Sequence, residues 1–159
     1  MANNYLQFSF KIDNVTDAEA QWIKNYLENA RKVVYDAAPE VTAASKPADS
    51  FLEAALERSS LGFDWVLEPT IEGPFLWLYT EESGDPDLAA EFVRLFLKAH
   101  RPKQFVAFTW AETCSKMRLD EFSGGGAVVT AANVMMQSAY WYTNKHTKRL
   151  RKKGLKAAA

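Results

Sequence analysis

One cysteine and two histidines in 159 residues leave little material for thiol or metal chemistry. Cys114 has no second cysteine with which to form an intramolecular disulfide or a multi-cysteine zinc site. It ends an apolar run and reads as a small hydrophobe. His100 and His146 have no cysteine or second histidine at ligand spacing and read as structural or solvated. The chain also has few glycines, seven in all, of which three are consecutive at 124–126. No G-x-G-x-x-G, no glycine loop followed by Lys-Ser/Thr, and no G-x-S-x-G elbow occurs. A phosphate loop runs strand, glycines, helix, because amides at a helix N-terminus hold the anion. Here the glycines lead into the β-branched run of 126–130, so they read as a backbone bend or close approach. No apolar run nears the ~20 residues that span a bilayer. The opening MANNYLQFSF has neither a basic nor an apolar leader region, and a cytoplasmic location is expected.

What the chain does have is bulk. Apolar residues make up 48% and charged residues 25%, with ten Phe, six Tyr and five Trp. At this length folding buries roughly 70% of the unfolded chain's surface, enough for one self-sufficient core. The net charge of −1 conceals an asymmetry. From Lys145 onward there are seven Lys/Arg and no acid, so the rest holds 12 Lys/Arg (19 minus 7) against 20 Asp/Glu, a balance of −8. The expected organisation is one domain over 1–144 and a basic tail over 145–159. The closing Ala-Ala-Ala also fits an artificial extension.

Periodicity predicts the elements. Residues 5–12 alternate as a half-buried strand. Thr16 and Glu19 make a capping box for a helix whose apolar stripe is Trp22, Ile23, Tyr26, Leu27, Ala30 and Val34. Residues 36–49 read as a loop. Ser50 and Glu53 make a second box for a short helix. Residues 62–69 and 73–80 form a hairpin. Asp85, Pro86 and Asp87 start a helix with Leu88, Phe92, Val93, Leu95, Phe96 and Ala99 inward. Residues 103–114 make a strand. It and 73–80 look apolar on both faces, as central strands do. Residues 115–125 link to a last strand over 126–130. Thr130 then caps a helix over roughly 131–145 carrying Val134, Met135, Ala139 and Tyr142. This order predicts an α+β, mostly antiparallel, ferredoxin-like split βαβ (β-α-β-β-α-β) fold with helices on one face and an extra C-terminal strand and helix.

Three sets of residues are candidates for contact. Arg118, Asp120 and Glu121 precede Gly124, Gly125 and Gly126. The carboxylates Glu68, Glu72, Glu81, Glu82, Asp85 and Asp87 gather around the hairpin and the following helix start, where Glu81 and Glu82 have no capping role. Lys145, Lys148, Arg149, Arg151, Lys152 and Lys153 have spacing suited to phosphates, and Trp141 and Tyr142 before them to stacking. The run 103–108 resembles the aromatic strand of RNA-recognition domains but lacks that motif's basic-glycine-aromatic opening.

The segments GFDWVLEP, LWLYTEESGDPDLAAEFV and FTWAETCSKMRLDEFSGGGAVVT together carry one resemblance. Over roughly residues 62–142 the chain resembles a group of uncharacterised proteins of bacterial genomes, phages and plasmids. The most specific part is the C-x-K-x-R-x-D-x-F run (Cys114, Lys116, Arg118, Asp120, Phe122) with the glycines after it. The resemblance implies no activity and no catalytic residue. It implies an accessory protein of a mobile element that acts by binding, for example on a host defence component.

The expectation is therefore a non-enzymatic protein-binding module without cofactor or metal. It contacts a protein partner or itself through the segment 118–126, through the acidic hairpin, or through both. The alternative is a nucleic-acid-associated protein with the tail as an electrostatic arm.

Overall fold

A computed structural model describes residues 4–36, 49–71, 73–115 and 123–153. The chain is α+β. Its elements run β1 (Asn4–Ile12), α1 (Asp17–Arg31), α2 (Ser50–Arg58), β2 (Asp64–Glu68), β3 (Phe75–Thr80), α3 (Pro86–His100), β4 (Phe105–Cys114), β5 (Ser123–Thr130), β6 (Val134–Ser138) and α4 (Ala139–Lys152). A π-type turn, Lys32–Asp36, prolongs α1. The strands form one open sheet in the order β2-β3-β1-β4-β5-β6, and every neighbouring pair is antiparallel.

The two crossover helices start where the sequence predicts. Thr16 and Glu19 close the capping box of α1, and Val15 is buried beside it. Asp85 accepts from the amides of Asp87 and Leu88 to cap α3, with Pro86 in its first turn. The cap of α2 is Asp49 rather than Ser50: its Oδ1 accepts from the amide of Leu52 at 3.0 Å. Ser50 sits one residue inside the helix, where its hydroxyl donates to Glu91 on α3.

The core lies between these helices and one face of the sheet. Ile23, Leu27 and Ala30 of α1, Phe51 of α2 and Phe92 and Phe96 of α3 are fully buried. They form one cluster with Phe8, Leu76, Leu78, Phe108 and Val129 of the sheet. Of the stripe predicted for α3, Ala99 alone faces solvent. The rings of Phe10 and Phe108 stack at 4.3 Å across the β1–β4 ladder.

One ion pair ties both crossovers together. Arg101, just past α3, donates from Nε and Nη2 to the two carboxylate oxygens of Glu19 at 2.7 and 2.8 Å. Its remaining donors reach the carbonyls of Asp13 and Asn14 at 2.9 and 2.7 Å. The guanidinium lies 5.4 Å from the Phe96 ring centre. Both side chains are nearly buried, at 12% and 8% exposed. Farther along α1, the Tyr26 hydroxyl donates to Asp49 at 2.7 Å, which joins α1 to the start of α2. Burial, reinforced by that carboxylate, pushes the Tyr26 phenol far above its ordinary range.

The C-terminal third departs from the prediction. β5 begins at Ser123, three residues before the predicted start. Val134 and Met135 belong to a sixth strand and not to a helix. Thr130 closes a tight turn instead of capping: its amide donates to the carbonyl of Asn133 at 2.8 Å, and the amide of Asn133 returns a bond to its hydroxyl at 3.0 Å. A run of β-branched and thioether residues with alternating exposure pairs more readily than it coils. The helix starts only at Ala139, and it continues through position 145 to Lys152.

Hydrogen bonding to Arg101 lowers the Glu19 carboxyl from 4.5 to about 2 against the opposing cost of burial. A carboxyl lowered on folding contributes stability that is complete above its unfolded value and is lost as pH falls through its folded value. Stability should therefore decline between pH 4.5 and about 2, by up to about 3 kcal/mol from this group. Glu19→Gln should lose that segment of the pH profile and lower stability at pH 7 by roughly 3–5 kcal/mol, because Arg101 loses its buried partner. Urea unfolding of both proteins from pH 7 to pH 2 measures this; parallel profiles would remove Glu19 as the cause.

Candidate functional site: the uncovered face of the sheet

Strand residues alternate between faces, so each strand that feeds the core also presents a second set of side chains. On β4 the inward set is Val106, Phe108 and Trp110, and the outward set is Phe105, Ala107, Thr109, Ala111 and Thr113. On β3 the outward set is Phe75, Trp77 and Tyr79, and on β1 it is Tyr5, Gln7, Ser9 and Lys11. No residue of these outward sets is buried. Phe105 is 68% exposed, Met135 55%, Val128 38% and Trp77 37%. β3 and β4 are central in the ladder, as their apolar residues on both faces predict, but only one of those faces is buried. Both crossover helices, α1 and α3, pack on the same side of the sheet, as right-handed connections between parallel strands of one sheet require here.

The face has a texture. Trp77 and Tyr79 stack at 4.3 Å, and the Trp77 indole donates to the Ser9 hydroxyl at 2.8 Å. The Lys11 ammonium stands 5.6 Å from the Phe75 ring centre. This makes an aromatic ridge along β3. Beside it, β4 and β5 present Ala107, Thr109, Ala111 and Gly126, a shallow uncharged trough. The charged outward side chains are Asp64 and Glu68 on the β2 margin and Lys11 on β1, which pairs with Asp13 at 2.8 Å.

The three glycines belong to this sheet. Gly124, Gly125 and Gly126 lie within β5, opposite Ala111, Trp110 and Thr109 of β4. A Cβ on Gly125 would come within 2.2 Å of the Trp110 indole and 2.6 Å of the Gln137 carbonyl. A Cβ on Gly124 would meet the Trp110 carbonyl at 2.5 Å. Gly126 has ordinary clearance, with nothing nearer than 3.5 Å. The glycines are there so that Trp110 can lie across the strand, which is the close-approach reading. Gly126 alone opens onto the uncovered face.

Of the other predicted residues, Arg118, Asp120 and Glu121 lie outside the described residues, as does Glu72. Glu81 and Glu82 are exposed just past β3. Their carbonyls accept from the Gln7 side chain at 2.6 Å and the Leu6 amide at 2.8 Å. With Tyr35, Ser60, Asp64 and Tyr79 they line an open cleft of about 490 Å³. Asp85 is committed to its cap and pairs with Arg58 at 3.0 Å. Lys145, Lys148, Arg149, Arg151 and Lys152 lie exposed on α4, with Lys153 just beyond it. The Lys145 ammonium is 4.4 Å from the Trp141 ring centre. His146 packs on Tyr142 with ring centres 4.3 Å apart. His100 packs edge-on to Trp22, also in the helix layer, at 5.0 Å. Cys114 is half-buried at the end of β4, opposite Asn4. Among the described residues no group of three or more His, Cys, Asp or Glu could hold a metal ion. Nor is any described helix long and apolar enough to cross a membrane.

The sequence reading missed Trp77, Tyr79, Thr109, Val128 and Met135 as a surface. A signal was present in 105–113, where one parity is aromatic or alanine and threonine and the other is uniformly bulky. Comparison with protein-family models, with curated proteins and with solved structures found no match.

Gly125→Ala should destabilise the fold by roughly 1–3 kcal/mol through overpacking, while Gly126→Ala should change it by less than about 0.5 kcal/mol. Thermal unfolding of the two variants side by side tests this; equal losses would contradict the role given to Trp110.

Proposed function

We propose that the chain is a non-enzymatic protein-binding accessory protein of a phage or other mobile element, which acts by contact with other protein chains, a host protein among them. The uncovered sheet face is the surface through which it meets another chain. The observation that carries this reading is the exposure of Phe105, Met135, Val128 and Trp77 on a face whose last three strands, β4 to β6, present no charged side chain outward. A contiguous apolar patch of this kind, rimmed by charge, marks interaction surfaces in soluble proteins. Aromatic anchors beside small residues are also the composition of interface centres. The exposed Glu81 and Glu82, beside the face, offer a complementary rim to a basic partner. The neighbouring order β4-β1-β3-β2 supports reading the first four strands, with α1 and α3 as crossovers, as the ferredoxin-like unit. β5, β6 and α4 extend it.

A second reading, association with nucleic acid, draws on α4. That helix carries five Lys/Arg and no acid, and none of its described side chains is buried. Phosphate contacts of this kind would make affinity fall steeply with salt.

The test immobilises the wild type, Thr109→Arg and a chain ending at Ser138, and exposes each to bacterial lysate with and without nuclease. The protein-binding reading expects a specific protein retained after nuclease and lost with Thr109→Arg. Retention that vanishes with nuclease or with the shortened chain favours the second reading. No protein retained, together with no self-association of the wild type, would overturn the first.

A further inference from the structure

We propose that the uncovered face docks on the same face of a second copy, in the inverted order that sets β3 of one copy over β5 of the other. This rests on the reading of the face as protein-binding, and it names the chain that binds. The ladders set the outward residues in rows across the sheet. Asp64, Tyr79 and Ser9 are in register on β2, β3 and β1, and Thr109, Gly126 and Gln137 on β4, β5 and β6. In the next row Val66, Trp77 and Lys11 stand on the first three strands, and Ala107, Val128 and Met135 on the last three. In the first row bulk lies on β3, as Tyr79, and small side chains on β4 and β5, as Thr109 and Gly126; in the second, Trp77 on β3 is matched by Val128 and Met135 on β5 and β6.

Two copies can meet face to face about a two-fold axis lying in the interface in two ways. An axis along the strands, between β1 and β4, reverses the strand order of the partner. Tyr79 then lies over the partner's Gly126 and Trp77 over the partner's Val128, so that the ridge of β3 meets small or apolar side chains of β5. An axis across the strands sets each strand over its own copy, so that Trp77 and Tyr79 oppose Trp77 and Tyr79.

Charge selects the same arrangement. The β2 margin is acidic on this face, with exposed Asp64 and Glu68. The opposite margin is where α4 packs beside β5 and β6, bringing five cations and no acid. Inversion sets each acidic margin against the partner's basic one. The other axis sets Asp64 and Glu68 against their own copies, and like charges in apposition cost several kcal/mol. The size of the face also suits a dimer. Six strands ~4.8 Å apart and ~6 residues long at ~3.3 Å per residue span roughly 570 Å² in projection. Side-chain relief raises the accessible area toward the ~800 Å² per partner of a stable interface. Sheets packed in this way sit ~10 Å apart.

Sedimentation equilibrium of the full chain gives the first test. The wild type is expected at twice the chain mass. Thr109→Arg, and independently Val128→Lys, should weaken association at least about 100-fold by burying an unpaired charge, with circular dichroism unchanged. A monomeric wild type at tens of micromolar, or a dimer indifferent to both substitutions, overturns the proposal. Cross-linking with a thiol-specific bifunctional reagent of ~10 Å span, the separation of packed sheets, tests the orientation in a Cys114→Ala background. Tyr79→Cys combined with Gly126→Cys should cross-link two copies. Within one chain these positions are three strand spacings apart, about 14 Å, too far to bridge. Cross-linking by Tyr79→Cys alone would instead show the uninverted arrangement and overturn this one. A monomeric wild type whose capture of another protein is still abolished by Thr109→Arg would remove the dimer and leave the binding reading intact.

Discussion

All of the buried apolar area in this protein depends on one constraint: both crossover connections pass on the same side of a single antiparallel sheet. Each right-handed connection returns its strand to the sheet with its helix on that side. α1 and α3 therefore lie together, α2 closes against them through Ser50 and Glu91, and one face of every strand becomes core. The other face is left to whatever the sequence places there. Of the described helices only α4 lies outside that layer, and it packs beside β5 and β6.

Two local devices hold that arrangement in register. The Glu19–Arg101 pair joins the start of the first crossover to the end of the second, and Arg101 also takes up two carbonyls of the loop between β1 and α1. Its strength comes from being almost wholly removed from water with its donors satisfied, which an exposed pair lacks. At the other side of the sheet Trp110 lies across Gly125. That contact makes a plain glycine stretch into a well-packed strand, and it provides β6 with a neighbour on which to pair. The two devices act on the covered face only.

The uncovered face, the acidic margin and the basic helix are then parts of one surface. An aromatic ridge, an uncharged trough over β4 and β5, and charge at the edges and at Lys11 describe a patch with an apolar part and a selective polar part. α4 follows the same logic. None of the described side chains of α4 is buried, so packing on its own chain adds little to a helix whose stability comes mostly from packing. Its aromatic first turn and cationic second half are better matched to a neighbouring chain than to solvent.

Much of the covered half was legible in the sequence. The caps at Thr16 and Asp85, the stripe from Trp22 to Val34 and the alternation of 5–12 are local patterns whose physical causes act within a few residues. They were sufficient for the element order up to β4 and for an α+β architecture. Tertiary structure decided the rest. Whether Trp77 and Thr109 meet a helix or water depends on which side the crossovers take, which no single strand encodes. Whether 134–138 coils or pairs depends on β5 being present as a template. Asp49 rather than Ser50 caps α2 because Tyr26, 23 residues away, donates to the Asp49 carboxylate. The glycines needed Trp110 beside them to be understood. By itself, the sequence determined which residues would be apolar, capped or charged. The tertiary structure decided which of the apolar ones would remain exposed, because burial is a property of facing surfaces and not of side chains alone.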